Sequence, residues 1–559
     1  MRDARPRFVG LLIAICIACN LSAADQTDTK LTADRLLARD HVVEVEVEVD
    51  EDDWQSLCDQ TRSNPFGDPS DNPFSYFKAD VTIDGQLVKN VGIRKKGFIG
   101  SLDDYRPSLK IKFDKYEDQS PVEDMVTMTL NNNKQDRSLM SQSLTYYLFR
   151  KAGVHAPRVT HATVTVNGDY LGIYSHVESM KKPFLKREYG DASGVFYEGT
   201  ITDFYPKAIK RLEGKTKKSE KDRAAALKLS ELLDADDVDL AAIEKLVNVD
   251  YFLKYWAIES VLSFWDGYTQ NQNNYFAYQN PKDGKFYFMP WGADSCFAES
   301  PFSRRRGTTN AASVVANSIL SNRLYQIEGI PDRYKSTLMT ILKDVWNEEE
   351  LLKEIERIND LIFDEFDESQ LFEAQSGRRD VERFIKSRRK EIEAELEDWP
   401  VKVVAQPRIP FYSETVGMTK GSFKAIWNDG SDVADIELKL NDEKVKVESV
   451  SLRAGMSEPR RYGWGRPPAP TAEIAMTCKR TDADPIVLTI KINPDDFKVG
   501  DKIKVTGSLQ EGNRGYGRRG SWGKQLKGTA KLTSAGMNDD DAIEGEFDLE
   551  ITEMRGGPW

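Results

Sequence analysis

The stretch Trp265-Asp266-Gly267-Tyr268-Thr269-Gln270-Asn271-Gln272-Asn273-Asn274-Tyr275, followed by Pro290-Trp291-Gly292-Ala293-Asp294, is the most chemically loaded in the chain. One carboxylate follows an apolar helix pattern, amides come five to eight positions later, and a second carboxylate lies beyond a short pair of strand patterns. Hard oxygen donors in this arrangement suit magnesium and phosphoryl transfer. One carboxylate orients or deprotonates an acceptor hydroxyl, while an amide oxygen and another carboxylate hold the metal. The same residues have a plainer reading, because Asn-rich turns commonly join strands and an Asp can cap the segment after it. The whole sequence holds only four His and five Cys, which argues against zinc clusters and disulfide scaffolds and leaves oxygen ligation as the chemistry with material to work with.

Elements must hold these donors in place. An apolar helix is expected from Val249 to Phe264, leading directly into Asp266, with strands at Phe276–Tyr278 and Phe286–Met289. Upstream the chain reads as β-rich. The Val/acid alternation of 41–50 fits a strand with one wet face, its acids in a row rather than around a calcium ion. Strand patterns follow at Phe77–Ile83, Leu87–Lys95 and Leu109–Phe113, with Asp84-Gly85 as a hairpin turn; a second hairpin joins His161–Val166 to Tyr170–Val177 through Asn167-Gly168. A helix is expected over Asp136–Ala152, stopped by Gly153, and further helices over 320–400. Residues 207–245 read as a polar helical insertion or lid, with the basic run Lys215 to Lys221 as a solvated face.

The segment from about 41 to 400 resembles the CotH family of atypical secreted protein kinases, first known from bacterial spore coats. The resemblance is carried by Gly92-Ile93-Arg94-Lys95-Lys96-Gly97, Ser108-Leu109-Lys110-Ile111-Lys112-Phe113, Leu130-Asn131-Asn132 with Ser138-Leu139-Met140, and Ala156-Pro157-Arg158. It continues through Asn167 to Tyr174, Val177-Glu178, Lys182 to Arg187, Asn274-Tyr275, Pro290-Trp291 and Phe384 to Arg389. The resemblance implies an α+β, bilobal kinase-like fold with a β-rich N-lobe and a helical C-lobe. It implies ATP and Mg2+ as cofactors and a protein substrate with Ser/Thr acceptors. Asp266 matches the family's catalytic aspartate and Asp294 an aspartate of its metal motif. Asn274, or failing it Asn271, would be the amide ligand. Arg94 and Lys110 would serve the nucleotide, with Glu178 as the ion-pair partner of Lys110, although Lys112 shares a face with Lys110 and either can be a surface lysine. Two departures stand out. The family's Trp-Asp-x-Asp reads Trp291-Gly292-Ala293-Asp294 here, and its Arg-Gly-Asn-Ser-Ser loop reads Lys96-Gly97-Phe98-Ile99-Gly100. They open an alternative, a catalytically inactive relative serving as a surface-assembly, adhesion or carbohydrate-binding protein.

The rest of the chain sets location and partners. Arg2, Arg5 and Arg7 precede an apolar run Phe8 to Cys19 and small residues Ser22-Ala23-Ala24, the pattern of a signal peptide over 1–24. A secreted, periplasmic or cell-surface protein is therefore expected. No later run approaches the ~18 apolar residues of a span, so no stable membrane span is expected. The three later cysteines, Cys58, Cys296 and Cys478, read as buried thiols. A net charge of −13 disfavours a nucleic-acid partner. After a linker at 401–410, segment 411–559 reads as an all-β sandwich-like module of short alternating runs. Its loops Arg460 to Arg466 and Arg514 to Gly520 interleave Arg with aromatics, a pattern suited to cell-surface or carbohydrate contact as well as to plain exposure.

Overall fold

The computed structural model describes residues 30–62, 74–300, 311–431, 433–441, 443–457, 470–481, 483–512 and 524–557. The expected signal segment 1–24 and the Arg/aromatic loops at 460–466 and 514–520 lie outside the described residues. The chain is mixed α+β, as expected, and its N-terminal part is β-rich.

Seven strands form a closed barrel: β1 (Val42–Val49), β2 (Phe77–Ile83), β3 (Gln86–Lys96), β4 (Ser108–Lys112), β5 (Thr127–Asn131), β6 (Val159–Val166) and β7 (Asp169–Val177). In β1 the period-two pattern buries Val43, Val45 and Val47 and leaves Glu44, Glu46 and Glu48 in solvent, so the acids form a wet face and not a calcium site. The two short hairpins turn where expected. Asp84 (φ 46°) and Gly85 (φ 80°), then Asn167 (φ 49°) and Gly168 (φ 86°), supply the left-handed pairs that such turns need. Closure comes from a pairing that no local pattern announces, β1 running parallel to β6 with Val45 beside Val164.

The helical part packs around a second, larger core. Helix α1 (Ser141–Lys151) starts later than expected because Asp136 turns its carboxylate back onto Ser138 and the Ser141 N–H, and Leu139 takes φ 60°. Helix α2 (Val249–Val261) buries nearly all of its residues. A four-stranded antiparallel sheet lies beside it, in the order β9 (Glu213–Gly214), β8 (Val195–Gly199), β10 (Tyr275–Gln279), β11 (Phe286–Pro290). Segment 207–245 is helical but not a polar lid: Ala226, Leu229, Leu233 and Ile243 are buried in the main core, and of the basic run Lys217, Lys218 and Lys221 are solvated as expected whereas Lys215 is drawn inward by Glu198 and Glu213.

The C-terminal module is all-β, with its own apolar core. Its strands form one continuous ten-stranded sheet rather than two separate ones. The sheet is built around Tyr412–Ile426, which pairs with both Val433–Leu440 and Ala542–Arg555. Alternate residues point inward, as in Ala472, Ile474, Met476 and Cys478. The lead-in at 401–410, expected as a linker, is instead docked on the helical part. Val401 and Val403 pack on its core, and the carbonyls of Val401, Val404 and Ala405 accept from Tyr325, Asn322 and Gln326. Cys58, Cys296 and Cys478 are free and buried. Among the described residues no helix is long and apolar enough to cross a membrane.

Candidate functional site

Asp266 sits in the turn between α2 and the single-turn helix α3 (Tyr268–Asn271), and the residues around it explain why that turn is fixed. Glu259, buried near the end of α2, accepts from the Tyr268 and Thr269 N–H groups (2.9 and 2.8 Å) and from the Tyr255 hydroxyl. A side chain on Gly267 would collide with that carboxylate, its Cβ falling 2.4 Å from Glu259 Oε1. Burial pushes the Glu259 carboxyl above its ordinary value, and these donors oppose it. Arg388, on the last long helix α4 (Glu368–Leu396), donates to the Ser260 and Val261 carbonyls where α2 ends. The Phe384 to Arg389 motif thus works as a clamp on the helix that delivers Asp266.

Three amides surround the Asp266 carboxylate. Asn271 Nδ2 (2.5 Å) and Asn273 Nδ2 (3.1 Å) donate to Oδ1, and Asn274 Nδ2 donates to Oδ2 (2.8 Å) and to the Asp266 backbone carbonyl (3.1 Å). Burial raises the Asp266 pKa, opposed by these amides and by Arg408. The amides are not equivalent. Asn271 Oδ1 is occupied by Arg408 Nη1 (3.0 Å) and Asn273 Oδ1 by the Ile201 N–H (3.1 Å). Asn274 keeps its Oδ1 facing Gly292, where a Cβ would lie 2.4 Å away. The open space in front of that oxygen exists because residue 292 has no side chain, and its φ of 50° is one that glycine adopts freely.

Asp294 joins the same neighbourhood. Its pKa is pushed up to about 7 by burial and by the negative charges of Asp266 and Asp136, with Lys96 pulling the other way. Asp136 is itself satisfied by Ser138 and Ser141. The charge of Asp266 repels that of Asp294, and a hard divalent cation would relieve it; Asp294 and the neutral oxygen Asn274 Oδ1 are hard donors that fit magnesium in that sense. Among the described residues no three His, Cys, Asp or Glu side chains are grouped to hold a metal, so an amide donor is needed to complete the set.

The facing wall comes from the barrel. Period two along β3 sends Arg94 and Lys96 to one side and Lys95 to the other, where Lys95 is fully buried on the Cys58 carbonyl and Asp104. Lys96 Nζ bonds Asn131 Oδ1, and its pKa falls to about 8 through burial, with Asp294 opposing and Arg94 assisting. Arg94 is paired in register with Lys110 on β4. Burial, then Lys181, Arg94 and Lys215, push the Lys110 pKa down to about 7. Among the described residues Lys110 makes no ion pair, whereas Lys112 lies 3.6 Å from Asp114 at the surface, which separates the two lysines the sequence left open. Glu198 on β8 completes this wall. Burial works to raise its carboxyl, but Lys215 at 2.6 Å, Lys110 and Lys181 outweigh it and hold it below its ordinary value.

Glu178 departs from expectation. Its carboxylate is taken by Arg158 (3.0 Å) and Arg187, and it accepts the Arg158 N–H as well, so it ties the end of β7 to the helix Lys182–Tyr189 and is not the partner of Lys110. The carboxylate in electrostatic range of Lys110 is Glu198, which no motif singled out. Lys96, Lys181, Glu198, Lys215 and Arg408 were all missed as site residues. Only Lys96 left a signal, its two-residue spacing from Arg94. The structure thus brings together Asp266, Asn274 and Asp294 near Lys96, sets Arg94 and Lys110 side by side, and places Glu178 elsewhere.

Lysines of the barrel in electrostatic range of carboxylates carried by the helical part are a charge arrangement that suits phosphoryl transfer, the chemistry of kinase-like proteins. The chain is a member of the CotH kinase protein family, whose model matches residues 93–392, more than half of the sequence. It is 24% identical over 250 residues to the inner spore coat protein H of Bacillus subtilis, covering 42% of this chain and 68% of that protein. It is 23% identical over 243 residues to spore coat protein homolog 1 of Rhizopus delemar, covering 39% of this chain and only 38% of that protein, so the relatives are fungal as well as bacterial. Among solved structures, the Helicobacter pylori proinflammatory kinase CtkA aligns over 52% of this chain and 94% of its own, at 8% identity and a TM-score of 0.27, too slight a likeness to support a fold assignment.

Proposed function

We propose that this chain is an exported protein kinase that moves the γ-phosphoryl of ATP to a Ser or Thr hydroxyl of an extracytoplasmic or surface protein, using magnesium. The observation that carries the reading is the division of roles among the amides: Asn274 donates to both the backbone and the carboxylate of Asp266 and turns its oxygen toward Gly292, two residues before Asp294. Asp266 would accept the proton of the acceptor hydroxyl as the new O–P bond forms and the bond from the γ-phosphorus to the leaving ADP oxygen breaks. Asn274 Oδ1 and Asp294 would hold Mg2+, which when bound screens charge on the phosphate oxygens. Arg94 and Lys110 would contact phosphate, with Lys96 set between them and Asp294. Export and surface location rest on the signal-like segment 1–24 and on relatives named for spore coats.

Incubating the purified protein with labelled ATP, magnesium and a Ser/Thr-rich acceptor should transfer label, and Asp266→Ala should lower transfer by about 10²- to 10⁴-fold, the usual worth of a positioned base. Equal transfer by both proteins would overturn the assignment of Asp266. A second reading, an inactive surface-assembly or carbohydrate-binding protein, is favoured by Gly292, which removes one carboxylate of the family's metal motif. It predicts no transfer and no thermal stabilisation by millimolar ATP and magnesium.

A further inference from the structure

The lead-in to the C-terminal module reaches the back of the proposed catalytic loop. Arg408 lies there with its backbone N–H on the Asn317 carbonyl (2.8 Å), and Asn317 donates in turn to the carbonyls of Thr269 and Gln270 in α3. The Arg408 guanidinium divides between two neighbours: Nη1 donates to Asn271 Oδ1 (3.0 Å) and Nε to Gln272 Oε1 (2.8 Å). Gln272 returns a bond from Nε2 to the Arg408 carbonyl (2.7 Å) and another to the buried Asp203 (2.8 Å), while its own backbone is held at φ 53°. A guanidinium can only donate, so the end of Asn271 that meets it must be the oxygen. The other end, Nδ2, is thereby committed to Asp266 Oδ1 at 2.5 Å. A flipped Asn271 would set an amide NH2 against a cation and an oxygen against a carboxylate. The same contact removes Asn271 Oδ1 as a metal ligand.

We infer that Arg408 is a positioning residue for phosphoryl transfer: by fixing the Asn271 amide it aims the Asp266 carboxylate, and segment 401–410 is therefore part of the working site. The inference rests on the kinase reading above for its effect on transfer, but the bracing of the loop does not. The Arg408 guanidinium acts through Asn271 and Gln272, so its loss is expected to act on the turnover step. In the full-length chain, Arg408→Ala lowers kcat by about 10- to 100-fold, in line with the cost of a roughly 1 Å misplacement, and leaves the KM for ATP within about twofold. Amide hydrogen exchange over residues 267–273 accelerates selectively. Arg408→Lys keeps the backbone bond and the charge but lacks the two-pronged fork, and does not restore kcat. If Arg408→Ala fails to fold, Arg408→Lys is judged by the same two measurements. Wild-type kcat with unchanged exchange in the folded variant overturns the inference, and so does acceleration spread evenly over the helical part, which would mark Arg408 as a general stabiliser. If the wild-type protein transfers no label, the kinase reading falls, and selective acceleration over 267–273 upholds the bracing while unchanged exchange overturns it.

Discussion

At position 292 the backbone takes φ 50° and a Cβ would lie 2.4 Å from Asn274 Oδ1. Putting back the aspartate that the family's motif carries there is therefore not a repair. Gly292→Asp is expected to weaken Mg2+-dependent thermal stabilisation by ATP, because the new side chain must displace the amide that faces the metal position; stronger stabilisation would contradict this geometry. Lys110 makes a different prediction. Its pKa drops from an ordinary 10.5 to about 7 in the fold, so its charged form is disfavoured there. The resulting penalty on stability is full below about pH 7 and fades as pH rises toward 10.5. An anionic phosphate at Lys110 restores the proton. Binding of ATP at pH 8 should accordingly take up protons, seen as a dependence of calorimetric heat on the ionisation enthalpy of the buffer. Lys110→Met should remove much of that uptake, with Lys96, lowered to about 8, supplying the remainder. Asp266, Asn274 and Asp294 could be read from the sequence because they lie within one short stretch. Glu198 and Lys215 could not, since their meaning arises only when a distant sheet is laid against β3 and β4.

Among the elements, α2 shows how much of the site is built by groups that never enter it. Its C-terminal carbonyls are held by Arg388 through Nε to Val261 (2.9 Å) and Nη2 to Ser260 (2.5 Å), and Nη2 also reaches the Ala312 carbonyl. Arg388→Ala takes the guanidinium from all three carbonyls, of which Ser260 still accepts from the Ser263 N–H, and a loss of about 1–3 kcal/mol in unfolding free energy is expected from denaturant titration. An unchanged midpoint would mean that water replaces the guanidinium freely. The strands of the barrel and their hairpin turns were legible, because alternation and the Asp-Gly and Asn-Gly pairs are local signals. Closure by β1 against β6 was not, because parallel pairing between segments so far apart in sequence leaves no mark in either strand. The docking of 401–410 was hidden for another reason: a short proline-flanked stretch without periodicity reads as a tether, yet Val401 and Val403 pack on the helical core and its carbonyls, which every sequence has, accept from Tyr325, Asn322 and Gln326.

For the molecule as a whole, the described residues form a barrel core, a helical core with a smaller cluster around Phe184, Phe196 and Phe276 on the four-stranded sheet, and the separate core of the ten-stranded sheet. The last touches the body through few groups, among them Lys207 with Glu414 (3.2 Å) and the ring of Tyr205 near that of Tyr412. Calorimetry should therefore resolve at least two unfolding transitions, with ATP and magnesium raising the one that belongs to residues 41–400; a single transition would mean that the cores are coupled more tightly than these contacts suggest. The bond from Arg408 to Asn271 joins residues 137 positions apart in the chain. Because synthesis runs from the N-terminus, a growing polypeptide carries the whole of its Asp266 loop for that distance before the arginine that sets it exists. On the reading proposed above, a chain made only as far as residue 407 holds every group of the loop and lacks the one that aims it, so translation itself delays completion of the site.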